Sequence, residues 1–298
     1  MVWLCWLVAL LITIEPHSFG LHRLLAVRWL PGYADLILGS VLIVMGAFAA
    51  NRVVQNSVLL GRISNFPMLF LVVMAAFIPR SALGVDGGLI LLIQVPLLRY
   101  ILDLPEGHRS NSLAYNSGVI IGAMCFVEPW AILLVVVVLQ AMLSTGLLDL
   151  RKFILHLLGV LTPAYLLNAG LFLADQPLLF PQFEVAFSRD WFSVIDVSHG
   201  LQLGLLLVLG LFAFFSVLQI SSHSTLREKR KWYLVITYAF VAFISMLLAG
   251  FSRGYYLMLI PGCIVLARLF LNGSNKRALN FALILLFVLW VLAIFLGS

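Results

Sequence analysis

Continuous apolar segments separated by short polar connections are the feature that most limits how this chain can fold. In lipid, backbone polar groups must be paired within the protein, which allows only helical bundles or closed barrels to span a membrane. Barrel strands would alternate apolar and polar residues, whereas these segments are apolar throughout. The sequence therefore predicts an all-α fold, a polytopic transmembrane bundle of about eleven helices. The predicted segments are 2–14, 34–50, 66–78, 89–102, 113–127, 130–148, 153–173, 200–220, 232–250, 255–271 and 278–297.

Composition supports lipid as the solvent of this chain. Hydrophobic residues make up 63% of the 298 residues, charged residues only 10%, and the mean hydropathy is +1.12. A soluble domain usually carries about 25% charged residues. The longest connection, 174–199, has 26 residues, too few for a separate domain, so we expect a single membrane domain over 1–298. That connection is amphipathic and rich in aromatic residues, which predicts one or two short helices lying on the outer interface.

Basic residues predict the orientation of the bundle. If the segments alternate in direction, thirteen of the eighteen Lys and Arg residues lie on one side and five on the other. Cytoplasmic loops carry the excess of basic residues, so the N-terminus is predicted to be cytoplasmic and the C-terminus outside. The strongest single signal is the basic run from Arg227 to Lys231.

The stretch 113–148 allows two interpretations, because only Glu128 and Pro129 interrupt it. One kinked helix would reduce the count to ten, since proline bends helices without always ending them. A single helix of that length would extend about 54 Å at 1.5 Å per residue, far more than a bilayer core. Length therefore favours a hairpin of two helices.

Acidic residues gather on the predicted outer side, which holds eight of the twelve. The first outer loop contains Glu15, followed by Pro16 and His17, and a carboxylate there could act as a general base beside an imidazole. Arg23 and Arg28 follow on a stretch suited to the interface, where arginine meets phosphate. The alternative interpretation is a capped helix end and an interfacial anchor without catalytic function.

Two further outer positions are candidate ligand-binding elements. Glu128 lies in a tight turn near the hydrocarbon boundary, where a carboxylate is costly unless paired or hydrated. Arg253 carries a permanent charge that suits a phosphate, and Tyr255 and Tyr256 would line a lipid headgroup site. In the alternative interpretation, Glu128 is a turn residue solvated by headgroups, and Arg253, Tyr255 and Tyr256 belong to an ordinary interfacial aromatic belt.

Other classes of function find no support in the sequence. There is no Walker motif, GxGxxG, CxxC or HExxH, so no cofactor and no metal are predicted. The three cysteines lie inside apolar segments, and their spacing suggests neither a zinc site nor a disulfide framework. Topology explains the net charge of +6, so nucleic-acid binding is not expected, and the predicted partners are membrane lipids.

Two stretches resemble polyprenyl-phosphate-dependent membrane glycosyltransferases of the GT-C fold. The first runs from Gly118-Val-Ile-Ile-Gly122 through Glu128-Pro129 and a long aliphatic helix to Arg151-Lys152, and the second runs from Arg253 to Pro261. The resemblance implies a catalytic acid in the first outer loop, for which Glu15 is the first choice and Asp35 the second. It also implies that Arg253 binds the phosphate of the carrier. The chain departs from the pattern because its first outer loop has Glu-Pro-His in place of an acidic pair.

Over its whole length the chain resembles a family of uncharacterised multi-pass inner-membrane proteins of Gram-negative bacteria, through Asn116-x-Gly118, Glu128-Pro129 and the basic run before segment 9. That resemblance implies a bacterial inner-membrane location. Three hypotheses for function remain open: a glycosyltransferase that uses a polyprenyl-phosphate carrier at the outer face, a non-enzymatic scaffold for envelope machinery, and a transporter of lipids or small molecules. A transporter would show broken helices or an internal repeat.

Overall fold

The computed structural model describes part of the chain, and all structural statements below concern that part. The described residues are 32–57, 59–60, 64–75, 84–104, 110–144, 146, 149–180, 200, 204, 207–208, 210–211, 214–215, 225–249, 251–272, 284 and 288.

Eight α-helices and one 3-10 helix, with no strand, make up the regular structure of these residues. The predicted all-α fold is thus confirmed for this part of the chain. The elements are α1 Gly32–Asn56, α2 Phe66–Ala75, α3 Val85–Asp103, α4 Ser110–Met124, the 3-10 helix Pro129–Leu134, α5 Val135–Ser144, α6 Leu150–Leu173, α7 Leu226–Ala249 and α8 Phe251–Asn272.

Five of these helices, α1, α3, α6, α7 and α8, are long and apolar enough to cross a membrane. They identify the chain as a helical membrane protein. The predicted count of eleven is not matched by the eight α-helices of the described residues, and segments 1, 8 and 11 lie largely outside them. Segment 4, predicted as 89–102, is shorter than the roughly 17 residues that a full span needs. The helix in its place, α3, begins four residues earlier at Val85 and has 19 residues, because Asp86 and two glycines are accommodated in its first turn.

The α1–α3 pair runs in parallel and meets through glycines. A Cβ atom on Gly39 would lie 2.7 Å from the backbone carbonyl of Gly84, and further along both helices a Cβ on Gly46 would collide with Leu91. The later position on α1 thus meets the later position on α3, which means that the two helices run in the same direction. Since α1 and α3 are parallel, the short helix α2 between them must return the chain to the starting side.

The α4–α6 pair is also parallel, and here the two backbones touch. A Cβ on Gly118 would collide with the carbonyl oxygen of His156, and one on Gly122 with the carbonyl oxygen of Val160. Small residues allow such close approach, which is how helices associate without a hydrophobic driving force in lipid. Two parallel helices require a returning element between them, so 113–148 is not one continuous helix.

The returning element begins after a break in the helix. The last residue of α4 is Met124, and Glu128 is extended, with φ −135° and ψ 100°, before the 3-10 helix begins at Pro129. The hairpin interpretation of this stretch is therefore the one that the structure supports.

The described helix ends gather at two ends of the bundle. At the first, the Lys231 ammonium near the start of α7 donates to the carbonyl of Ser57, 3.2 Å away, just after α1. At the second, the Ser245 hydroxyl near the end of α7 lies 3.2 Å from the carbonyl of Trp130 in the 3-10 helix. We call these the Lys231 end and the Glu128 end.

Helix α8 forms the centre of the described bundle and α6 its periphery. In the most apolar stretch of α8, 89% of the residues are buried, against 17% in α6. Helix α8 contacts α2, α3 and α7, and Phe70 of α2 stacks obliquely on Phe270 with ring centroids 4.7 Å apart. The exposed apolar face of α6 is what a helix facing lipid requires.

The first six α-helices form two three-helix units, and the parallel helices of one unit run in the opposite direction to those of the other. In the first, α1 and α3 run from the Glu128 end to the Lys231 end, with the 10-residue α2 between them. In the second, α4 and α6 run the other way, with the short stretch Pro129–Ser144 between them. Each unit thus pairs two parallel helices through glycine and places a shorter, oppositely directed element between them.

Candidate functional site

The predicted site residues that the structure describes all belong to the Glu128 end. Asp35 lies in the first turn of α1 and Arg253 in the first turn of α8. Glu128 precedes the 3-10 helix, and Tyr255 and Tyr256 follow Arg253 on α8. These positions are far apart in sequence, and the alternating directions of the helices bring them to one end. Glu15, His17, Arg23 and Arg28 lie outside the described residues.

Tyr255 ties α8 to α2. Its ring is 4% exposed, and its hydroxyl donates a hydrogen bond of 3.1 Å to the backbone carbonyl of Met74 in the last turn of α2. A buried tyrosine usually needs such a partner for its hydroxyl. The side chain is thus part of the packing beneath this end.

Tyr256 ties α8 to α3 in a different way. Its ring occupies the space in which a Cβ on Gly87 would stand, so any larger residue at position 87 would collide with it. Tyr256 is buried, and Gly87 follows Asp86 in the first turn of α3. Absence of a side chain at Gly87 is therefore what allows the ring to insert.

Glu128 is held as a helix cap. Its carboxylate accepts a hydrogen bond of 3.2 Å from the backbone N–H of Trp130, and Pro129 fills the first helical position. The residue is 2% exposed, and the carbonyl of Trp130 in turn accepts from Ser245 of α7. An acidic N-cap satisfies a free amide and is favoured by the helix dipole. The turn thus joins the second three-helix unit to α7.

The structure brings these residues together as two kinds of group. Tyr255, Tyr256 and Glu128 are buried. Tyr255 and Glu128 are hydrogen-bonded to backbone groups and Tyr256 packs against Gly87, so the three residues fix the relative positions of α2, α3, α7 and α8. Asp35 and Arg253 occupy helix starts at the same end. No group of three His, Cys, Asp or Glu residues that could hold a metal ion occurs among the described residues.

Comparison with known proteins places this chain by family. A family model matches residues 29–297, which covers every helix of the described part of the chain. The chain belongs to the DUF6427 family, a family of unknown function. No curated protein and no solved structure matches it. Membership in the DUF6427 family agrees with the expected uncharacterised family and assigns no activity.

At the Lys231 end, the structure reveals a polar cluster that sequence reasoning noted only as basic residues. The Arg268 guanidinium lies 5.3 Å from the ring centre of Trp232 and donates to the carbonyl of Leu60. Together with the bond from Lys231 to Ser57, it holds the α1–α2 connection against α7 and α8. The signal in the sequence was the position of these cations at helix ends, but their carbonyl partners follow only from packing.

The α1–α2 connection is also held by its own amides. The Asn51 amide donates to the Asn65 side-chain oxygen at 3.1 Å, and the Gln55 amide donates to the carbonyl of Ser64 at 3.1 Å. These side chains flank the connection in sequence, as expected for polar residues at the end of a membrane helix. They link the two ends of the connection directly to each other, in addition to the bonds from Lys231 and Arg268.

The α4–α6 contact contains a buried histidine. The Nδ1 atom of His156 lies 3.0 Å from the carbonyl of Ala114 and 3.3 Å from the Ser117 hydroxyl, which links the two helices. The Tyr115 and Thr162 hydroxyls form a second link at 3.1 Å. This agrees with the common role of an intramembrane histidine as a hydrogen-bonding group between helices.

The connection that follows α6 starts as an irregular segment. Residues 176–180 are not helical, and the Asn168 side chain holds Leu179 through two hydrogen bonds, at 2.9 and 2.7 Å. The predicted short helices of 174–199 are thus absent from its described part. Residues 181–199 lie outside the described residues.

Proposed function

We propose that this chain is a membrane glycosyltransferase that uses a polyprenyl-phosphate carrier at the Glu128 end, with that end on the outer face of a bacterial inner membrane and the N-terminus cytoplasmic. One observation carries the proposal: Asp35 of α1, Glu128 before the 3-10 helix, and Arg253, Tyr255 and Tyr256 of α8 come from three separate parts of the chain and share one end of the bundle.

In the proposed reaction, the Glu15 carboxylate takes the proton of an acceptor hydroxyl, with Asp35 as the second choice for this base. The acceptor oxygen attacks the anomeric carbon of the sugar, and the bond between that carbon and the carrier phosphate breaks. The polyprenyl phosphate leaves with the electron pair, and the Arg253 guanidinium balances its negative charge. The reaction requires no nucleotide and no obligatory metal.

The buried residues have a supporting role in this scheme. Tyr255 fixes α8 to α2, and Tyr256 fixes α8 to α3, so together they hold the start of α8 and therefore Arg253 in position. Glu128 fixes the turn beside α7. His17, Arg23 and Arg28 would complete the headgroup side of the site. A group that is held in the correct geometry lowers the barrier of a reaction more than a flexible one.

Binding of the carrier is the first test. Native mass spectrometry of the purified protein with undecaprenyl phosphate should show a specific complex that Arg253→Ala abolishes. Arg52→Ala is the matched control, since Arg52 is exposed and lies near the Lys231 end of α1. Binding that survives Arg253→Ala, or is lost equally in Arg52→Ala, would remove the basis of the proposal. Glu15→Gln should then retain binding and lose transfer.

A transporter is the second candidate, and the opposed three-helix units favour it. Transporters often combine repeats of inverted orientation, with short or interrupted helices in corresponding positions. Here α2 and the Pro129–Ser144 stretch are the short elements in corresponding places. Uptake of a labelled carrier lipid or small molecule into proteoliposomes, without any transferase activity, would favour this function over the enzyme. A scaffold would show neither activity.

A further inference from the structure

Two polar side chains in the middle of the bundle have hydrogen-bonding groups without a partner. Gln94 of α3 is fully buried, and neither its amide nitrogen nor its amide oxygen is bonded to any described residue. Tyr238 of α7 is fully buried too, and its hydroxyl is likewise without a partner in the described part of the chain.

The two side chains lie at the same depth. Gln94 is two helical turns from Gly87, which contacts Tyr256 at the Glu128 end. Tyr238 is two turns from Ser245, which bonds to the carbonyl of Trp130 at that same end. Two turns of α-helix rise about 10 Å. Because α3, α7 and α8 contact one another, both polar groups belong to one level of one helix cluster.

The face of α3 that carries Gln94 is turned toward α8. Gly87 and Gln94 are seven positions apart, so they share a face of the helix, and Gly87 faces the Tyr256 ring of α8. Each of these two helices also contains a proline near this level, Pro96 in α3 and Pro261 in α8. A proline has no N–H for the carbonyl four residues earlier, which leaves backbone acceptors at the same level.

Physical chemistry limits what can satisfy these groups. A buried amide or hydroxyl without a hydrogen bond is strongly unfavourable in an apolar surrounding. An amide both donates and accepts, and so does a phenol, so the matching molecule must also do both. A cation would need carboxylates or several oxygens, and the described residues contain no cluster of acidic metal ligands.

We propose that Gln94 and Tyr238 form an internal polar site, at mid-depth between α3, α7 and α8, which binds a small uncharged molecule that donates and accepts hydrogen bonds, with water as its ordinary occupant. Ordered waters that bond to otherwise unsatisfied groups are a regular part of protein interiors. The site is separate from the proposed carrier site at the Glu128 end and does not depend on it.

Radiolytic footprinting of the full-length protein in detergent tests the proposal, because X-rays convert a bound water into a hydroxyl radical that modifies the adjacent ring. Tyr255 is the matched reference, since it is also buried and its hydroxyl is bonded to protein. We expect Tyr238 to be modified at least about fivefold faster than Tyr255, although Tyr255 is nearer the bundle end. Equal or slower modification of Tyr238 would overturn the proposal.

A variant of Gln94 tests whether this side chain binds the water beside Tyr238. Gln94→Leu removes both amide groups at similar size, and Tyr238 modification should fall to the level of Tyr255. Gln140→Leu on α5, where Gln140 is half-buried, is the control and should leave Tyr238 modification unchanged. Unchanged modification in Gln94→Leu would refute a shared site. If Gln94→Leu does not fold, footprinting of Tyr238→Phe decides: loss of the hydroxyl should lower the modification of the α3 residues beside Gln94, and unchanged modification of those residues would refute a shared site.

Discussion

A Cβ atom on Gly159 of α6 would stand 3.1 Å from the Cα atom of Gly118 of α4, so the two helices meet backbone to backbone. The same Cβ atom on Gly159 would collide with the carbonyl oxygen of Tyr115. Neither backbone can move away locally without separating the helices. Glycine on both helices allows this close approach, which fixes how the second three-helix unit is built.

Gly159→Ala should therefore destabilise the protein, by about 1–3 kcal/mol, the usual range for an overpacked contact. Thermal unfolding in detergent measures the effect. Gly210→Ala is the matched control, because Gly210 is helical and a Cβ there meets no atom of the described residues within 4 Å. The control should be neutral or slightly stabilising, since alanine favours helices over glycine. Equal stability of the two variants would contradict the backbone contact.

Arg268→Lys should weaken the Lys231 end although the charge is kept. A lysine lacks the planar group that lies over Trp232 and reaches the carbonyl of Leu60. The expected loss is about 1 kcal/mol in the free energy of unfolding, from the cation–π contact and the hydrogen bond. Arg99→Lys is the control, because the Arg99 side chain is 69% exposed and its ion pair among the described residues is with Asp103, so the unfolding temperature of this variant should hardly differ from that of the wild type.

Glu128 is expected to act as a cap, so Glu128→Ala should destabilise by about 1 kcal/mol. Glu128→Gln should be tolerated much better, because the amide oxygen can still accept from the Trp130 N–H and no buried charge remains. Exposed Glu228, which caps α7 through Thr225, provides the comparison: Glu228→Gln should have a smaller effect than Glu128→Ala. Equal stability of Glu128→Ala and the wild type would rule out the capping role.

Asp175→Gly should stabilise the end of α6. Asp175 has φ 52°, and the amide of Gln176 bonds to the carbonyl of Leu171 at 2.9 Å, a helix end that normally carries glycine. Relief of the left-handed conformation is worth about 1 kcal/mol, less the larger entropy of the unfolded glycine chain. Gln176→Gly, one position later, should instead be neutral or destabilising. A lower unfolding temperature for Asp175→Gly would contradict the expectation.

The orientation of the bundle is testable with single cysteines in a Cys5→Ser background, because Cys125 and Cys263 are buried. Leu178→Cys lies beyond α6 on the Glu128 end, and Arg230→Cys lies on the Lys231 end. If the basic end is cytoplasmic, a membrane-impermeant maleimide labels the Leu178→Cys variant in cells whose outer membrane alone is opened. The Arg230→Cys variant should react only after the inner membrane is disrupted. The reverse pattern would invert the proposed topology.

The sequence by itself determined the solvent, the fold class and most helix positions, because the length and apolarity of a segment are local properties. Segment 7, predicted as 153–173, is α6 at Leu150–Leu173, and segment 10, predicted as 255–271, is α8 at Phe251–Asn272. Segment 4, predicted as 89–102, is the part of α3 that a count of apolar residues detects, because such a count stops at Asp86 and its neighbouring glycines, whereas the helix continues through them to Val85.

Tertiary structure alone decided which residues meet. Gly118 and Gly122 were visible as a motif, but their partners Gly159 and Val160 follow from the parallel course of α4 and α6. Tyr255 and Tyr256 looked like candidates for a lipid site, and packing buries them against Met74 and Gly87. The sequence shows Gln94 only as a polar residue within an apolar segment. Burial by the surrounding helices is what leaves its amide without a partner among the described residues. Local pattern sets which segments become helices, whereas contacts between distant segments depend on how those helices are arranged around one another.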